Sequence, residues 1–417
     1  MSFQQGLSGL NAASAGLDVT GNNIANANTV GFKIARAEFA DVFANSLVGA
    51  STNAIGIGTQ VQAVATQLTQ GNINVTNNPF DLAINGGGFF RMSDNGSITY
   101  TRNGQFGLDK NGFIVDTDAR HLTGFSADAA GNIVPSAPVD IQLSTSDIAA
   151  QATAKSAIVA NLDSRSTQPT TVPFNPLDAT SFNSSTALTL FDTLGNPHVM
   201  SVYFVKTAVA GQWTLHATVD GTAESRVTLG TSTMQFDAFG TLTAPVGPLT
   251  VSVNLNQIAT DLGTVNSALS PLPFTLDFGG TTQFGSPFGV NSITQDGFTS
   301  GRLTGVSVGA NGTVQGRYSN GQTRDLAQVV LATFINGQGL KPLGGNQYLE
   351  TPDSGTPLVG APTTGSLGTL QSAAVEESNV DLTAELVNLI TLQRVYQANA
   401  QTVKTQDAVL QTLVNIR

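Results

Sequence analysis

The stretch FQQGLSGLNAASAGLDVTGNNI, residues 3–24, carries Phe3, Leu7, Leu10, Ser14, Leu17, Gly21 and Ile24 at spacings of four, three, four, three, four and three. At the far end, LTAELVNLITLQRVYQANAQTVKTQDAVLQTLV (382–414) keeps the same alternation. Its members are Leu382, Leu386, Leu389, Gln393, Tyr396, Ala400, Val403, Asp407, Leu410 and Val414. A 4-3 repeat draws one narrow apolar stripe along a helix, and such a stripe is stable only against another helix. Two stripes at opposite ends of a 417-residue chain predict that the termini meet each other or other copies of the chain. That reading favours assembly over catalysis.

Both helices carry boundary signals. Ser2 with Gln5 reads as a capping box, and the Asn-rich run Asn22, Asn23, Asn26 and Asn28 before Gly31 reads as the helix end. About 25 helical residues span about 37 Å. Gly6, Gly9, Gly16 and Gly21 each weaken that helix by up to about 1 kcal/mol relative to Ala, so alone it should fray. The second helix has Ser378 with Asp381 as a capping box. Glu376, Glu377, Asp381 and Glu385 place negative charge at its start, and Arg417 places positive charge at its end. Gln393 and Asp407 interrupt its stripe, as polar seam residues that set register do.

Between the helices the signals turn to strand. Asn85-Gly86, Asn95-Gly96, Asn103-Gly104 and Asn111-Gly112 recur at intervals of ten, eight and eight, and Asn-Gly between short apolar runs marks hairpins. Residues 80–125 therefore read as a β-meander with Phe89, Phe90, Tyr100, Phe106 and Phe113 for its core. Asn311-Gly312 and Asn320-Gly321 repeat the pattern later. Residues 145–284 read as a separate all-β unit. Within it Trp213, Leu215, Ala217 and Val219 alternate with polar residues, as do Leu249, Val251, Val253 and Leu255. The order helix, meander, inserted β unit, meander, helix predicts a nested chain path with both termini at one end.

Composition narrows the function. Charged residues make up only 11%, against roughly 25% in typical soluble proteins. The net charge is −11, and no Lys or Arg occurs between Arg226 and Arg302, so the basic footprint of a nucleic-acid binder is missing. There is no Cys, which excludes disulfides and thiolate metal sites. Neither a cleaved secretory signal nor a membrane span is expected, because no basic, apolar leader opens the chain and no stretch approaches 18 apolar residues. His121, His198 and His216 are scattered, and Gly86-Gly87-Gly88 lacks the ending of a phosphate loop. Asp116 with Asp118, and Asp109 with Asn111, fit turns better than calcium loops. Asp178, Asp192, Asp220 and Glu224, taken as surface carboxylates, offer no cleft signature for a glycosidase. No catalytic residue, metal or cofactor is expected.

With these residues in hand, the chain resembles the bacterial flagellar rod and hook axial proteins, and within them the hook branch. SGLNAASAGLDVTGNNIANANTVGFK (8–33) is similar to their shared N-terminal motif, with its core at Asn22, Asn23 and Asn26 and its ending at Gly31, Phe32 and Lys33. ESNVDLTAELVNLITLQRVYQANAQTVKTQDAVLQTLVNIR (377–417) is similar to the matching C-terminal motif. DLAINGGGFF (81–90) and YTRNGQFGLDKNGFIV (100–115) resemble the rod and hook branch. LFDTLGNPHVMSVYFVKT (190–207) and GRYSNGQTRDLAQVVLATFINGQGL (316–340) resemble hook segments.

The resemblance implies a mostly β, nested multidomain fold whose terminal helices form a coiled-coil inner domain. It divides the chain into an inner-tube domain (1–30 with 375–417), a linker (31–70 with 363–374), a middle β-rich domain (71–144 with 285–362) and an outer one (145–284). It also implies a homopolymer, a curved hollow tube carrying torque from rod to filament, with a self-assembly seam at Phe3, Leu7, Leu10, Leu17, Ile24, Leu382, Leu386, Leu389, Tyr396, Val403, Leu410 and Val414. The implied partners are the rod, the hook cap, the hook–filament junction proteins and the type III export apparatus. A distal rod or hook-associated protein is the alternative within the family. A surface adhesin, a phage tail tube or an extracellular hydrolase is the alternative outside it.

Overall fold

The computed structural model describes residues 2–42, 56–128, 131–144 and 146–415, the side chains of 2 and 413–415 excepted. The chain is mostly β, and three α-helices lie among the described residues: α1 (Ser2–Ala25), α2 (Leu255–Asp261) and α3 (Leu382–Asn415). It divides into two compact units. The first comprises Met1–Thr145, Gly305–Arg317 and Thr323–Arg417, and the second comprises Ser146–Thr304 and Tyr318–Gln322.

The first unit holds both ends of the chain, as the nested order predicts. After α1, strands β1 (Ala35–Val42) and β2 (Gly58–Thr66) pair antiparallel. Next come β3 (Ile73–Val75), β4 (Leu82–Asn85), β5 (Phe89–Asp94) and β6 (Ser97–Thr101). Asn95-Gly96 makes the expected two-residue hairpin between β5 and β6, both residues taking positive φ (51° and 92°) as this turn requires.

The simple meander is corrected elsewhere. Strand β4 leaves Asn85-Gly86 unturned and pairs with Thr369–Ser372, and β3 pairs with Ala374–Glu376. At Asn103-Gly104 the glycine serves close approach instead: a Cβ there would lie 1.6 Å from the Leu82 carbonyl oxygen. The core of this unit gathers Leu82, Ile84, Phe90, Met92, Phe106, Leu122, Val329 and Leu331. Tyr100 and Phe89 pack in a neighbouring cluster, and Phe113 stays half-buried, stacked on His121 at 4.5 Å.

The second unit is two facing sheets. One runs Ser184–Phe191, Pro197–Lys206, Gln212–Val219, Thr233–Phe236, Leu242–Ala244; the other carries Val227–Leu229, Leu249–Val253, Leu272–Asp277 and Lys155–Asp163. Alternation along each strand sends one side chain in two inward, so Trp213, Leu215, Ala217 and Val219 meet Ile158, Val251 and Phe274 in a single core. The strand expected to reach Leu255 ends at Val253. Asn254 caps α2 there by accepting the Gln257 N–H, and Leu255 is buried as the first helical residue. Strand Gly289–Gln295 pairs with Lys155–Asp163, and the unit runs on to Thr304.

Candidate functional site

Helices α1 and α3 pack antiparallel, and the residues of α1 that touch are small ones outside its apolar stripe, while α3 brings Val403 of its own stripe to the contact. A Cβ on Gly6 would meet Val403 at 3.0 Å, one on Gly9 would meet the Asn399 side chain at 2.7 Å, and one on Gly16 would meet Leu392 at 3.1 Å. Asn23 donates to Glu385 at 3.2 Å in a buried hydrogen bond. Gly6, Gly9, Ala13, Gly16, Thr20 and Asn23 form a line spaced three, four, three, four, three. All of them are buried except Gly9, which is half-buried. The 4-3 alternation is present, but its buried phase is one of small residues that let two backbones approach. The glycines that cost helix stability are the ones this contact uses.

Moving the contact to that line leaves the large stripe outside. Phe3 and Leu7 are 46% and 47% exposed, Leu382 and Leu386 each 46%, and Leu410 54%. Leu10, Leu17, Ile24, Leu389 and Val403 are half-buried, and Tyr396 is exposed. Leu389 and Tyr396 border the contact line, and Val403 lies in it. Val387 and Ile390 add 59% and 49% exposure beside Leu386, which widens the free apolar face of α3. Val414 and Arg417 lie outside the described side chains.

Gln5 donates to the Gly56 carbonyl at 2.7 Å, and the Ser2 half of the expected capping box lies outside the described side chains. The start of α3 is corrected. Asp381, not Ser378, caps α3, accepting the N–H groups of Thr383 and Ala384 at 2.9 and 3.2 Å.

Below the helices, the family-like ending Gly31-Phe32-Lys33 is locked by a buried ion triad. Glu376, fully buried, accepts Lys33 Nζ at 2.5 Å on one oxygen and Arg102 at 3.1 Å on the other. The first oxygen also accepts the Gly71 N–H at 2.8 Å. Lys33 donates further to the Thr69 carbonyl, and Arg102 donates to the Gly86 carbonyl and lies over the Phe89 ring. Burial pulls the Lys33 ammonium below its ordinary range, and Glu376 offsets only part of that. Gly31 sits at φ +72°, where a Cβ would lie 2.5 Å from the Asn103 nitrogen, so the motif needs glycine for both conformation and space. Asn22 and Asn26 bond each other at the end of α1, whereas Asn23 reaches Ala35 and Glu385. Glu376 reads in sequence as helix-start charge, and nothing in spacing joins it to Lys33 some 340 residues away.

The titratable groups of the second unit form small local sets, and His198 lies between Asp220 and Asp192. His198 bonds Asp220 at 2.7 Å and His216 bonds Glu224 at 2.6 Å. In the first unit His121 bonds Asp140 at 2.8 Å. Asp192 is buried rather than on the surface, and its carboxylate ties a turn through the N–H groups of Leu194 and Asn196. Asp109 and Asp116 do the same for their turns. Among the described residues no cluster of His, Asp or Glu is placed to hold a metal ion, and no helix is long and apolar enough to cross a membrane.

Four family models match the chain. The flagella basal body rod protein model matches 3–33, the flagellar hook protein FlgE/F/G D1 domain 83–161, the flagellar basal body protein FlaE D2 domain 161–298, and the flagellar basal body rod FlgEFG protein C-terminal model 371–416. The chain is 42% identical to the flagellar hook protein FlgE of Escherichia coli K12, over the full length of both. It is 41% identical to that of Salmonella typhimurium over the full length of both, and 32% identical to that of Borreliella burgdorferi over all of this chain and 99% of the relative. Among solved structures, the Helicobacter pylori flagellar hook protein FlgE2 aligns with 73% of this chain and all of its own, at a TM-score of 0.50 and 14% identity. That last likeness is one of fold.

Proposed function

The chain belongs to the flagellar hook protein family, and from that membership we propose that it polymerises helically through its terminal helices into the curved, hollow tube of the flagellar hook. It is a structural subunit of the bacterial flagellar hook, a family that is not one of enzymes. The identity over full length to hook proteins carries this reading. The exposed apolar faces of α1 and α3 support the route of assembly. Burying a Leu contributes roughly 1.5–3 kcal/mol, so covering the exposed halves of Leu382, Leu386 and Ile390 contributes roughly 1 kcal/mol each. One such contact is weak, and many in a tube are cooperative.

In this reading the α1–α3 pair is the building block, and the stripes Phe3, Leu7, Leu10, Leu17, Ile24 and Leu382, Leu386, Leu389, Tyr396, Val403, Leu410, Val414 are the seams between copies. The terminal segments 1–30 and 375–417 make the inner wall, 31–70 with 363–374 the linker, 71–144 with 285–362 the middle domain and 145–284 the outer one. Export by the flagellar type III apparatus, and contact with rod, cap and junction proteins, belong to the same proposal. The test is electron microscopy of purified full-length chain and of material sheared from cells. Leu386→Asp is expected to abolish tubes while changing monomer stability by less than about 0.5 kcal/mol, as exposed substitutions do. Normal curved tubes from that variant would overturn the seam.

A further inference from the structure

Asn-Gly occurs seven times in the chain, with Asn336-Gly337 added to the six pairs already named, and the dipeptide has a chemistry of its own besides turning strands. Glycine puts no side chain in the way of its nitrogen, so that nitrogen can attack the carbonyl carbon of the asparagine side-chain amide. The new N–C bond closes a cyclic imide, and the amide nitrogen leaves as ammonia. Water then opens the ring at one carbonyl or the other, which yields aspartate or isoaspartate. The sequence needs no oxidant, reductant or enzyme. A folded chain restrains it by holding the glycine N–H, the amide or the backbone between them.

Five of the seven pairs are guarded. Gly86 donates its N–H to Gln70 Oε1 at 2.9 Å. Gly112, Gly312 and Gly321 donate theirs to the carbonyls of Asp109, Gly309 and Tyr318 at 3.1, 2.9 and 3.0 Å. Asn103 accepts the Gln105 N–H at 3.1 Å, and Gly104 is buried against the Leu82 carbonyl. Asn336 is an intermediate case, exposed but tied through its amide to the Asp353 carbonyl at 3.0 Å. Asn95-Gly96 is different. Both residues are exposed, and a Cβ on Gly96 would meet nothing within 4 Å. Among the described residues nothing accepts the Gly96 N–H, and the Asn95 amide is held only by its neighbour, donating to Asp94 at 2.9 Å. The pair lies beyond the last paired residues of the hairpin, Asp94 and Ser97, where local opening costs least. Asn95 also sits at φ 51°, a conformation that an L-residue holds only at a cost.

We infer that Asn95 is a site of spontaneous deamidation, and that its conversion loosens the β5–β6 hairpin. The product carries a carboxylate where the amide had donated to Asp94, so a hydrogen bond is replaced by repulsion between like charges. Isoaspartate also inserts a backbone carbon into a two-residue turn whose fit depends on matching the twist of its strands. Phe90 and Tyr100, both buried, lie on the two strands that this turn joins. The site belongs to the single chain and stands apart from the assembly reading.

The test uses purified full-length chain incubated at mildly alkaline pH, digested in acid and mapped by mass spectrometry, beside a sample kept in urea. In the folded chain the Asn95 amide should be lost about three- to tenfold sooner than the guarded ones, the worth of one hydrogen bond at each of them. Isoaspartyl methyltransferase should label the same peptide first, and in urea the seven rates should converge. A guarded site that converts before Asn95 in the folded chain would overturn the assignment. So would an Asn95 that persists in the folded chain while converting in urea. Brief trypsin treatment of partly aged protein tests the consequence at Arg91, on β5. Chains cut there should be enriched in isoaspartate and intact ones depleted. Equal isoaspartate in cut and intact chains would overturn the loosening.

Discussion

In the second unit Trp213, Phe204 and Phe278 are each at most 1% exposed, whereas in the terminal helices Phe3, Leu7, Leu386 and Leu410 each keep nearly half their surface in water. The first region closes its core on itself: 23 buried apolar residues from two sheets, α2 and an adjoining turn interlock, so its folding needs no neighbour. The second region spends small residues on its internal contact and holds large ones back. The difference separates two jobs. A closed core supplies a rigid body, and in the proposed assembly the incompletely covered helix pair is the surface left for neighbouring copies.

The comparison breaks most severely at the ion triad. Glu376→Ala should destabilise the first unit by about 3–5 kcal/mol, because two buried cations, Lys33 and Arg102, lose their partner. Urea unfolding followed by far-UV ellipticity should show that loss. Trp213, the sole tryptophan, reports the second unit, and its fluorescence transition should stay in place. A fluorescence transition that moves equally would show that the two regions do not keep separate accounts of stability.

The helix pair sharpens the comparison at smaller scale. Gly16→Leu should cost about 1–3 kcal/mol by overpacking against Leu392, whose methyls already lie 3.1–3.3 Å from the added Cβ. Helix propensity pulls the other way, since replacing Gly within a helix gains up to about 1 kcal/mol. Thermal melting of the helical signal decides between them. A variant more stable than wild type would mean that the glycine line is not the contact.

The 4-3 rhythm, the hairpin at Asn95-Gly96 and the alternation around Trp213 were all legible in the sequence, because each is a local pattern with one physical meaning. The phase of the helix contact was not. Hydrophobicity points to Leu7 and Leu386, while the packing chose Gly9, Gly16 and Leu392, since close approach of backbones rewards absence of a side chain as much as burial of one. The meander broke at its first strand for a similar reason: β4 found its partner at Thr369–Ser372, nearly 300 residues on, and no turn signal records a pairing that distant. Lys33 was visible as part of a motif. Its partner Glu376 was hidden among the acidic residues before α3, where the helix dipole offered a simpler account of its charge.

The smallest expected effect is a pH dependence confined to the closed-core region. His198 is raised above its ordinary value by its hydrogen bond to Asp220, against the opposing pull of burial, with Asp192 adding attraction from 3.6 Å. A group raised on folding contributes stability that is fully present below its unfolded value, near 6.5, and that disappears as pH climbs through the folded one. Burial pushes the Asp220 and Asp192 carboxyls up, but their hydrogen bonds outweigh it and hold both below the ordinary value. Their contribution is present above pH of about 3.9 and fades on further acidification. Stability of the Trp213 transition should therefore be highest between those limits and decline gently from near-neutral pH upward. His198→Gln should flatten the alkaline side of that profile and also weaken the acid side, because His198 is among the groups that hold the Asp220 and Asp192 carboxyls down. An unchanged alkaline slope in that variant would place its origin elsewhere and leave the Asp192–His198–Asp220 contact a purely geometric one.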